Sequence, residues 1–193
     1  MRVDEFLRRE VSRRQFLDSS ARNAAGVAAG IVGLSGAVAQ QAAAQMPASE
    51  RVSLAVIGVR GYGRTLATEM AALPDADVRT LCDVDAGLLR PAAEAVSDVQ
   101  ASPPRLESDF RRVLDDPQID AVVIATPDHW HALMTVLACQ AGKDVYVEAP
   151  VSHNLREGER MIAAARRHER LIQCGLQQRS GAHFQSAVAL SRS

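Results

Sequence analysis

The sequence predicts an α/β fold with a doubly wound parallel sheet, and three observations lead to that prediction. Short β-branched runs alternate with helical segments from about residue 51 to about residue 175. A glycine-rich turn follows the first of these runs, and an aspartate closes the second. Strands that alternate with helices form parallel sheets through right-handed crossovers. The composition, 47% hydrophobic and 23% charged, is that of a globular domain.

Five short segments, most of them apolar runs, are the predicted strands. In chain order they cover residues 52–57, 77–82, 119–125, 145–147 and 171–174. The third gives the strongest signal because Ile and Val fill the space between Asp116 and Pro127. Between the second and third runs, Ser102-Pro103-Pro104 breaks the chain, and no strand is predicted there.

Helical segments separate and follow these strands. They cover residues 61–73, 86–99, 108–115, 128–141, 155–169 and 183–190. Pro91 stands near the first turn of the second helix, where a missing N–H is least costly. Gly142 closes the fourth helix and Asn154 caps the fifth.

The first 45 residues differ from the rest of the chain. Ser12-Arg13-Arg14-Gln15-Phe16-Leu17 precedes a weakly apolar run over residues 24–39, and small-residue sites follow at 37–39 and 42–44. This pattern predicts a twin-arginine signal peptide over residues 1–45, with the export machinery as a partner and a periplasmic or secreted location. A membrane anchor is the alternative, and the short, glycine-containing apolar run disfavours it.

Charge and cysteine content exclude several kinds of site. The net charge is −1 and no basic face stands out, so we expect no nucleic-acid partner. Cys82, Cys139 and Cys174 lie far apart in the sequence, a spacing that suits neither a zinc site nor a disulfide framework. We expect three buried free thiols and no metal ion.

The glycine-rich turn at residues 58–63 is the first candidate for chemistry. Its glycines are Gly58, Gly61 and Gly63, and Arg60 stands where dinucleotide-binding turns usually have their second glycine. We predict that Gly61 allows the backbone to approach a pyrophosphate, that the following helix N-terminus faces the phosphates, and that Arg60 pairs with one of them. The alternative is a turn that only reverses the chain.

Asp83 supplies the second half of a dinucleotide signature. It follows Gly63 by twenty positions and ends the second strand, where an acid can accept hydrogen bonds from the adenosine ribose. Its carboxylate would repel a 2′-phosphate, so NAD is predicted and NADP is disfavoured. The alternative role, capping the next helix, can be filled by Asp85. The residues therefore predict a Rossmann-type dinucleotide-binding domain.

Polar residues also follow the third predicted strand, at the same edge of the sheet. Thr126 and Pro127 are predicted to line the cofactor cleft, because ligands bind beyond the carboxyl ends of such strands. His129 and His131 are two positions apart, so on a helix only one of them can face the cleft. A histidine there either binds the ligand or makes a hydrogen bond at the start of the helix.

Five linked motifs carry a resemblance to a known family. They are Gly58-x-x-Gly61-x-Gly63, Cys82-Asp83-Val84-Asp85, Ala125-Thr126-Pro127-Asp128-His129-Trp130-His131, Asp144-Val145-Tyr146-Val147-Glu148-x-Pro150 and Gln177-Gln178-Arg179-Ser180. Together they resemble the Gfo/Idh/MocA family of NAD(P)-dependent oxidoreductases, in particular its exported members with twin-arginine signals. The resemblance implies hydride transfer between nicotinamide and a sugar, cyclitol or related alcohol.

The resemblance also implies a domain plan and further site residues. It assigns residues 46–180 to the dinucleotide-binding domain and residues 181–193 to the truncated start of the family's second, α+β domain, which is otherwise missing here. It adds five residues to the predicted cofactor-binding set, which are Tyr62, His131, Glu148, Pro150 and Gln177. His131 is in addition the candidate catalytic residue, and a homo-oligomer is the candidate assembly.

One position departs from the family motif in a way that bears on catalysis. The family has Glu-Lys-Pro, with a lysine that assists proton transfer, where this chain has Ala149. A methyl group cannot donate a proton. Lys143, the one lysine in the sequence, precedes the strand and belongs to the opposite end of the sheet.

Three functional hypotheses follow from these features. The first is an NAD-binding oxidoreductase domain whose own catalysis is impaired. The second is an NAD-dependent glycoside hydrolase, since a Glu-Lys-Pro variant without lysine occurs among such relatives; net sugar oxidation without glycoside cleavage would count against it. The third is a non-catalytic subunit or fragment that binds a partner, which a purely monomeric state would disfavour.

Overall fold

The structure is a computed structural model and describes residues 51–192. The predicted signal peptide over residues 1–45, and the linker that follows it, lie outside the described residues. Among residues 51–192, no helix has both the length and the apolar character needed to cross a bilayer.

The strands form one parallel sheet. In chain order they are β1 Val52–Ile57, β2 Ala76–Cys82, β3 Arg105–Glu107, β4 Ala121–Ile124, β5 Asp144–Glu148 and β6 Ile172–Gly175. They lie side by side in the order β3-β2-β1-β4-β5-β6, and all the pairings are parallel. This is the strand order of doubly wound dinucleotide-binding sheets, so the predicted fold class is confirmed for the described residues.

The helices are the crossovers and the C-terminal segment. They are α1 Tyr62–Ala71, α2 Ala86–Ser97, α3 Phe110–Asp115, α4 Asp128–Gln140, α5 Leu155–His168, a 3₁₀ turn Gln177–Ser180, and α6 Ala182–Ser191. Asn154 caps α5 through a hydrogen bond from Glu157 N to its side chain, as the sequence predicts. α6 contains no buried residue.

β3 is the one strand that the sequence analysis missed. It has three residues, and its pairing with β2 runs from Thr80↔Arg105 to Cys82↔Glu107. Arg105 and Leu106 are exposed at the sheet edge, so the apolar run that marks a buried strand is absent. The predicted third strand is also shorter than expected, since β4 begins at Ala121 and Ile119 is buried just before it.

Each face of the sheet packs against its own set of helices. On one face, Leu66 of α1 and Ala92 of α2 pack with Val56 and Leu81 of the central strands. On the other face, α3, α4 and α5 cover the sheet and bury residues such as Phe110, Ala138 and Met161 together with Ile124. Strands buried on both faces are continuous apolar runs, which explains why most of them could be read from the sequence.

Lys143 lies at the amino end of β5 and is buried. Its Nζ donates hydrogen bonds of 2.7 Å to the carbonyl oxygens of Asp116 and Ile119. Only 6% of the residue is exposed. The side chain thus ties the segment before β4 to the start of β5, far from the carboxyl ends of the strands.

The cysteines differ in burial. Cys82 and Cys139 are buried as predicted, and burial is the main cause that raises the pKa of the Cys82 thiol to about 12. Cys174 was also expected to be buried, which is wrong, because it is only half-buried on the edge strand β6. All three are free thiols.

Candidate functional site: a cleft at the carboxyl ends of the strands

A cleft of about 590 Å³ opens at the carboxyl ends of β1, β2 and β4. Its floor is formed by Ile57 and Cys82, which end β1 and β2, and by Ala125, which directly follows β4. One wall contains Arg60 and the loop that follows β2. The other lining residues are the first residues of α3 and of α4, including Trp130. A doubly wound sheet binds its ligand at this edge, where the strand order reverses between β1 and β4.

The glycine-rich turn forms one side of this cleft. Gly58 has a φ of 88°, and a Cβ there would lie 2.7 Å from the carbonyl oxygen of Ala125. Gly63 packs closer still, because a Cβ on it would lie 1.9 Å from the carbonyl oxygen of Gly58. These two glycines let α1 and β4 approach the end of β1 closely.

Gly61 has a different role from its two neighbours in the motif. Its φ is 58°, and no atom lies within 4 Å of the position that a Cβ would occupy. The space beside this backbone is therefore open rather than filled by the protein. Gly61 is also the N-cap of α1, and no side chain caps that helix.

The start of α1 presents backbone donors without acceptors. Within residues 51–192, no hydrogen bond is made by the amides of Gly61 and Tyr62. The first amides of a helix lack partners inside the helix, and they carry a partial positive charge. Together with the open space at Gly61, these donors form a cradle suited to a phosphate.

Asp83 joins the glycine-rich turn to the loop after β2. Its Oδ2 accepts a hydrogen bond of 2.9 Å from Val59 N, and its Oδ1 accepts one of 2.9 Å from Asp85 N. Asp85 caps α2 by accepting from Gly87 N at 3.0 Å, as predicted. Asp83 is therefore not the helix cap, and both of its oxygens bind backbone amides. Each carboxylate oxygen has a second lone pair, so ribose hydroxyls can still donate to it.

Arg60 makes a contact that the sequence did not predict. Its Nη2 lies 3.1 Å from Oδ2 of Asp85, and both residues line the cleft. The side chains are 75% and 49% exposed, respectively, so the ion pair lies at the mouth of the cleft. The predicted pairing of Arg60 with a phosphate remains a prediction.

Two of the residues predicted after the third strand line the cleft, and one does not. Thr126 and Pro127 are both in the lining. His131 is buried with 2% of its surface exposed, and its two ring nitrogens lie 2.7 Å from the carbonyl oxygens of Pro150 and Thr126. The structure therefore gives His131 a positioning role, since it connects the loop after β4 to the loop after β5. His129 is exposed and outside the lining.

Tyr146 and Glu148 form a cluster of polar side chains at the end of β5. Oε1 of Glu148 accepts a hydrogen bond of 3.0 Å from the Tyr146 hydroxyl. Burial, followed by this bond and the charge of Glu148, raises the pKa of Tyr146 above its ordinary value. The pKa of Tyr62 is also raised, by burial first and then by Glu69 and Glu148. Tyr62 and Glu148, both predicted site residues, are thus within electrostatic range of each other.

The remaining predicted residues lie at the same edge. Pro150 follows Ala149 through a cis peptide bond, and Gln177 begins the exposed 3₁₀ turn after β6. Beside them, His153 Nδ1 lies 3.3 Å from Oδ2 of Asp128, and this hydrogen bond is the first cause that lowers the Asp128 pKa. Ala149 is exposed.

Several lining residues were missed by the sequence analysis. Four of them lie just before or at the start of α3, namely Ser108, the N-cap Asp109, Phe110 and Arg111. They reach the cleft because β3 ends at the same edge as β1, β2 and β4, so recognising that strand would have predicted them. Trp130 and Met134 complete the wall of α4. No cluster of three His, Cys, Asp or Glu side chains able to hold a metal ion occurs within residues 51–192.

Comparison with known proteins gives concordant matches. Residues 27–176 match the model of the family GFO_IDH_MocA, described as an oxidoreductase family with an NAD-binding Rossmann fold. An uncharacterized oxidoreductase, YrbE, from Bacillus subtilis is 29% identical over 136 residues, covering 70% of this chain and 38% of that protein. A glycosyl hydrolase family 109 protein from Saccharopolyspora erythraea is 33% identical over 172 residues, covering 81% of this chain and 37% of that protein.

A solved structure shares the fold. Scyllo-inositol dehydrogenase from Lactobacillus casei, crystallised with NAD(H) and scyllo-inositol, matches with a TM-score of 0.65 and 23% identity. The match covers 74% of this chain and 41% of the dehydrogenase. The chain thus spans about two fifths of the length of the proteins that it matches.

Proposed function

Because this chain belongs to the Gfo/Idh/MocA oxidoreductase family, with its NAD-binding Rossmann fold, we propose that it is the cofactor-binding part of an NAD-dependent oxidoreductase. The cleft at the carboxyl ends of β1, β2 and β4 is the observation that carries this proposal. Its dimensions and position suit a dinucleotide that crosses the edge of the sheet.

The residues present fit NAD at each part of the molecule. The uncapped start of α1 and the open space at Gly61 suit the pyrophosphate. Asp83, with a lone pair left on each oxygen, suits the adenosine ribose. The polar group at Tyr62, Tyr146 and Glu148 lies on the side where the nicotinamide end would extend. Bound NAD supplies the hydride acceptor or donor.

The substrate that we propose is a sugar, a cyclitol or a related alcohol. This proposal is supported by the inositol dehydrogenase among the solved structures that share the fold, and by the glycosyl hydrolase among the sequence relatives. We expect this chain alone to turn over substrate weakly, because Ala149 cannot move a proton where the family has lysine. Loss of a general acid or base removes a factor of about 10²–10⁴ in rate. The described cleft contains nothing that favours glycoside cleavage over hydride transfer.

Titration with NAD tests the proposal directly. Trp130 is the one tryptophan in the sequence, lines the cleft and is 40% exposed, so bound NAD is expected to change its fluorescence. We expect a saturable change with NAD. A Trp130→Phe variant should lose the signal and still bind NAD in calorimetry. Absence of saturable binding up to millimolar NAD by both methods would exclude the proposal.

We further propose that the protein is exported through the twin-arginine pathway to the periplasm or beyond. The support is the Ser12-Arg13-Arg14-Gln15-Phe16-Leu17 segment and the apolar run that follows it. A variant carrying Arg13→Lys and Arg14→Lys is expected to remain in the cytoplasm upon cell fractionation, while the parent is exported. Equal export of both proteins would argue against this pathway.

A further inference from the structure

Three polar contacts connect the glycine-rich turn to the loop after β2. Two are the bonds of Asp83 to Val59 N and Asp85 N, and the third is the ion pair of Arg60 with Asp85 at 3.1 Å. Oδ1 of Asp85 is fixed by the Gly87 amide at the start of α2. Its Oδ2 is therefore held in a defined direction, and that oxygen is the one bound to Arg60.

The charges at this wall are two carboxylates and one guanidinium. Asp83, Asp85 and Arg60 all line the cleft, on the side where the adenosine ribose would bind. The charge of Arg60 is compensated by Asp85, and the charge of Asp83 remains. The start of α3, which also lines the cleft, carries a separate ion pair, Asp109 with Arg111 at 3.2 Å.

We propose that Asp85 is a specificity-determining residue that makes the cleft reject NADP by holding Arg60 in an ion pair. This inference rests on the proposed binding of NAD. Dinucleotide sites that accept NADP place an arginine near the ribose 2′-phosphate. Arg60 has the right position in the sequence and the cleft for that role, and its charge is already compensated.

Two carboxylates oppose the binding of a 2′-phosphate at this wall. While Arg60 stays paired with Asp85, a 2′-phosphate at this wall faces Asp83 and Asp85 with no free cation to bind. If Arg60 turns to the phosphate, it gives up only a weak exposed ion pair, but Asp85 then lies beside the phosphate as a like charge without a counterion. Like charges a few ångströms apart repel strongly enough to decide the preference, so Asp85 acts both by holding Arg60 and by its own charge.

An Asp85→Asn variant tests the proposal. Asparagine caps a helix as well as aspartate does, so the bond from Gly87 N is kept while the charge is lost. Dissociation constants for NAD and NADP are measured by calorimetry on parent and variant. We expect the affinity for NADP to rise about tenfold and the affinity for NAD to change by less than about twofold.

Two further variants make the test specific. Asp77→Asn removes the same charge from another aspartate that is paired with an arginine at 3.1 Å, near the amino end of β2 and outside the cleft, and it should leave the NADP affinity unchanged. Adding Arg60→Gln to Asp85→Asn should abolish most of the gain.

The outcomes separate this inference from the proposed function. If the parent binds NAD and Asp85→Asn shows no gain for NADP, the inference is overturned and the proposed function stands. An equal gain in Asp77→Asn, or an undiminished gain after Arg60→Gln is added, also overturns it. If the parent binds neither dinucleotide, the proposed function fails and the inference fails with it.

Discussion

Replacing Gly63 by alanine is expected to abolish NAD binding and to lower the free energy of unfolding by about 3 kcal/mol. The new Cβ would lie 1.9 Å from the carbonyl oxygen of Gly58, whereas Cβ atoms essentially never come closer than 3.0 Å to a non-bonded heavy atom of a residue that is not a chain neighbour. Because the obstacle is backbone, α1 must move by about 1 Å, the difference between these distances. The amides at its start would then leave the pyrophosphate position. Chemical denaturation and NAD calorimetry measure the two effects.

Gly158 provides a matched control for this prediction. It lies in the first turns of α5, and a Cβ on it would be 3.4 Å from the Ser152 hydroxyl oxygen, an ordinary contact. Gly158→Ala is therefore expected to stabilise the domain by about 0.5–1 kcal/mol, as alanine generally does within a helix. NAD binding should be unchanged. If Gly63→Ala behaved like Gly158→Ala, the close approach of α1 to β1 would be refuted.

Replacing His131 by alanine is expected to lower the free energy of unfolding by about 3 kcal/mol. The substitution leaves a cavity in the buried side of α4, and it removes the ring that lies 2.7 Å from the carbonyl oxygens of both Thr126 and Pro150. We also expect NAD affinity to fall about tenfold, because Thr126 lines the cleft and would be held less firmly. Thermal unfolding and calorimetry are the measurements.

His129 is the control on the same helix. Its side chain is 60% exposed, and its polar contact is with the neighbouring Asp128. His129→Ala should change the free energy of unfolding by less than about 0.5 kcal/mol, as surface substitutions usually do. Equal losses for the two histidines would contradict the positioning role of His131.

The central part of the fold could be predicted because its signals are local. β1 and β4 are apolar runs that end before a turn residue, and β2 alternates between buried and half-buried residues before it ends at Leu81 and Cys82. The glycine-rich turn and Asp83 follow from the same local pattern. β3 could not be predicted, since an exposed edge strand of three residues has no periodicity to detect.

The geometry of the cleft required information that the sequence does not carry. His131 looked equally able to face the ligand or the core, and only the packing of α4 against the sheet decides between them. The spacing of Asp83 and Asp85 predicts which of them caps α2, but it does not predict that the turn after β1 brings Val59 N within 2.9 Å of Asp83 Oδ2. Likewise, the partner of Arg60 depends on how close two loops approach, which residue spacing alone does not specify.

The burial of Lys143 affects how the surface can be chemically modified. It is the single lysine in 193 residues, and its amine points inward to two carbonyl oxygens. The surface formed by residues 51–192 therefore offers no accessible lysine to amine-reactive dyes or cross-linkers. Its long cationic side chains are all arginines, so reagents selective for guanidinium groups would react without competition from lysine, with the cleft residues Arg60 and Arg111 among their targets.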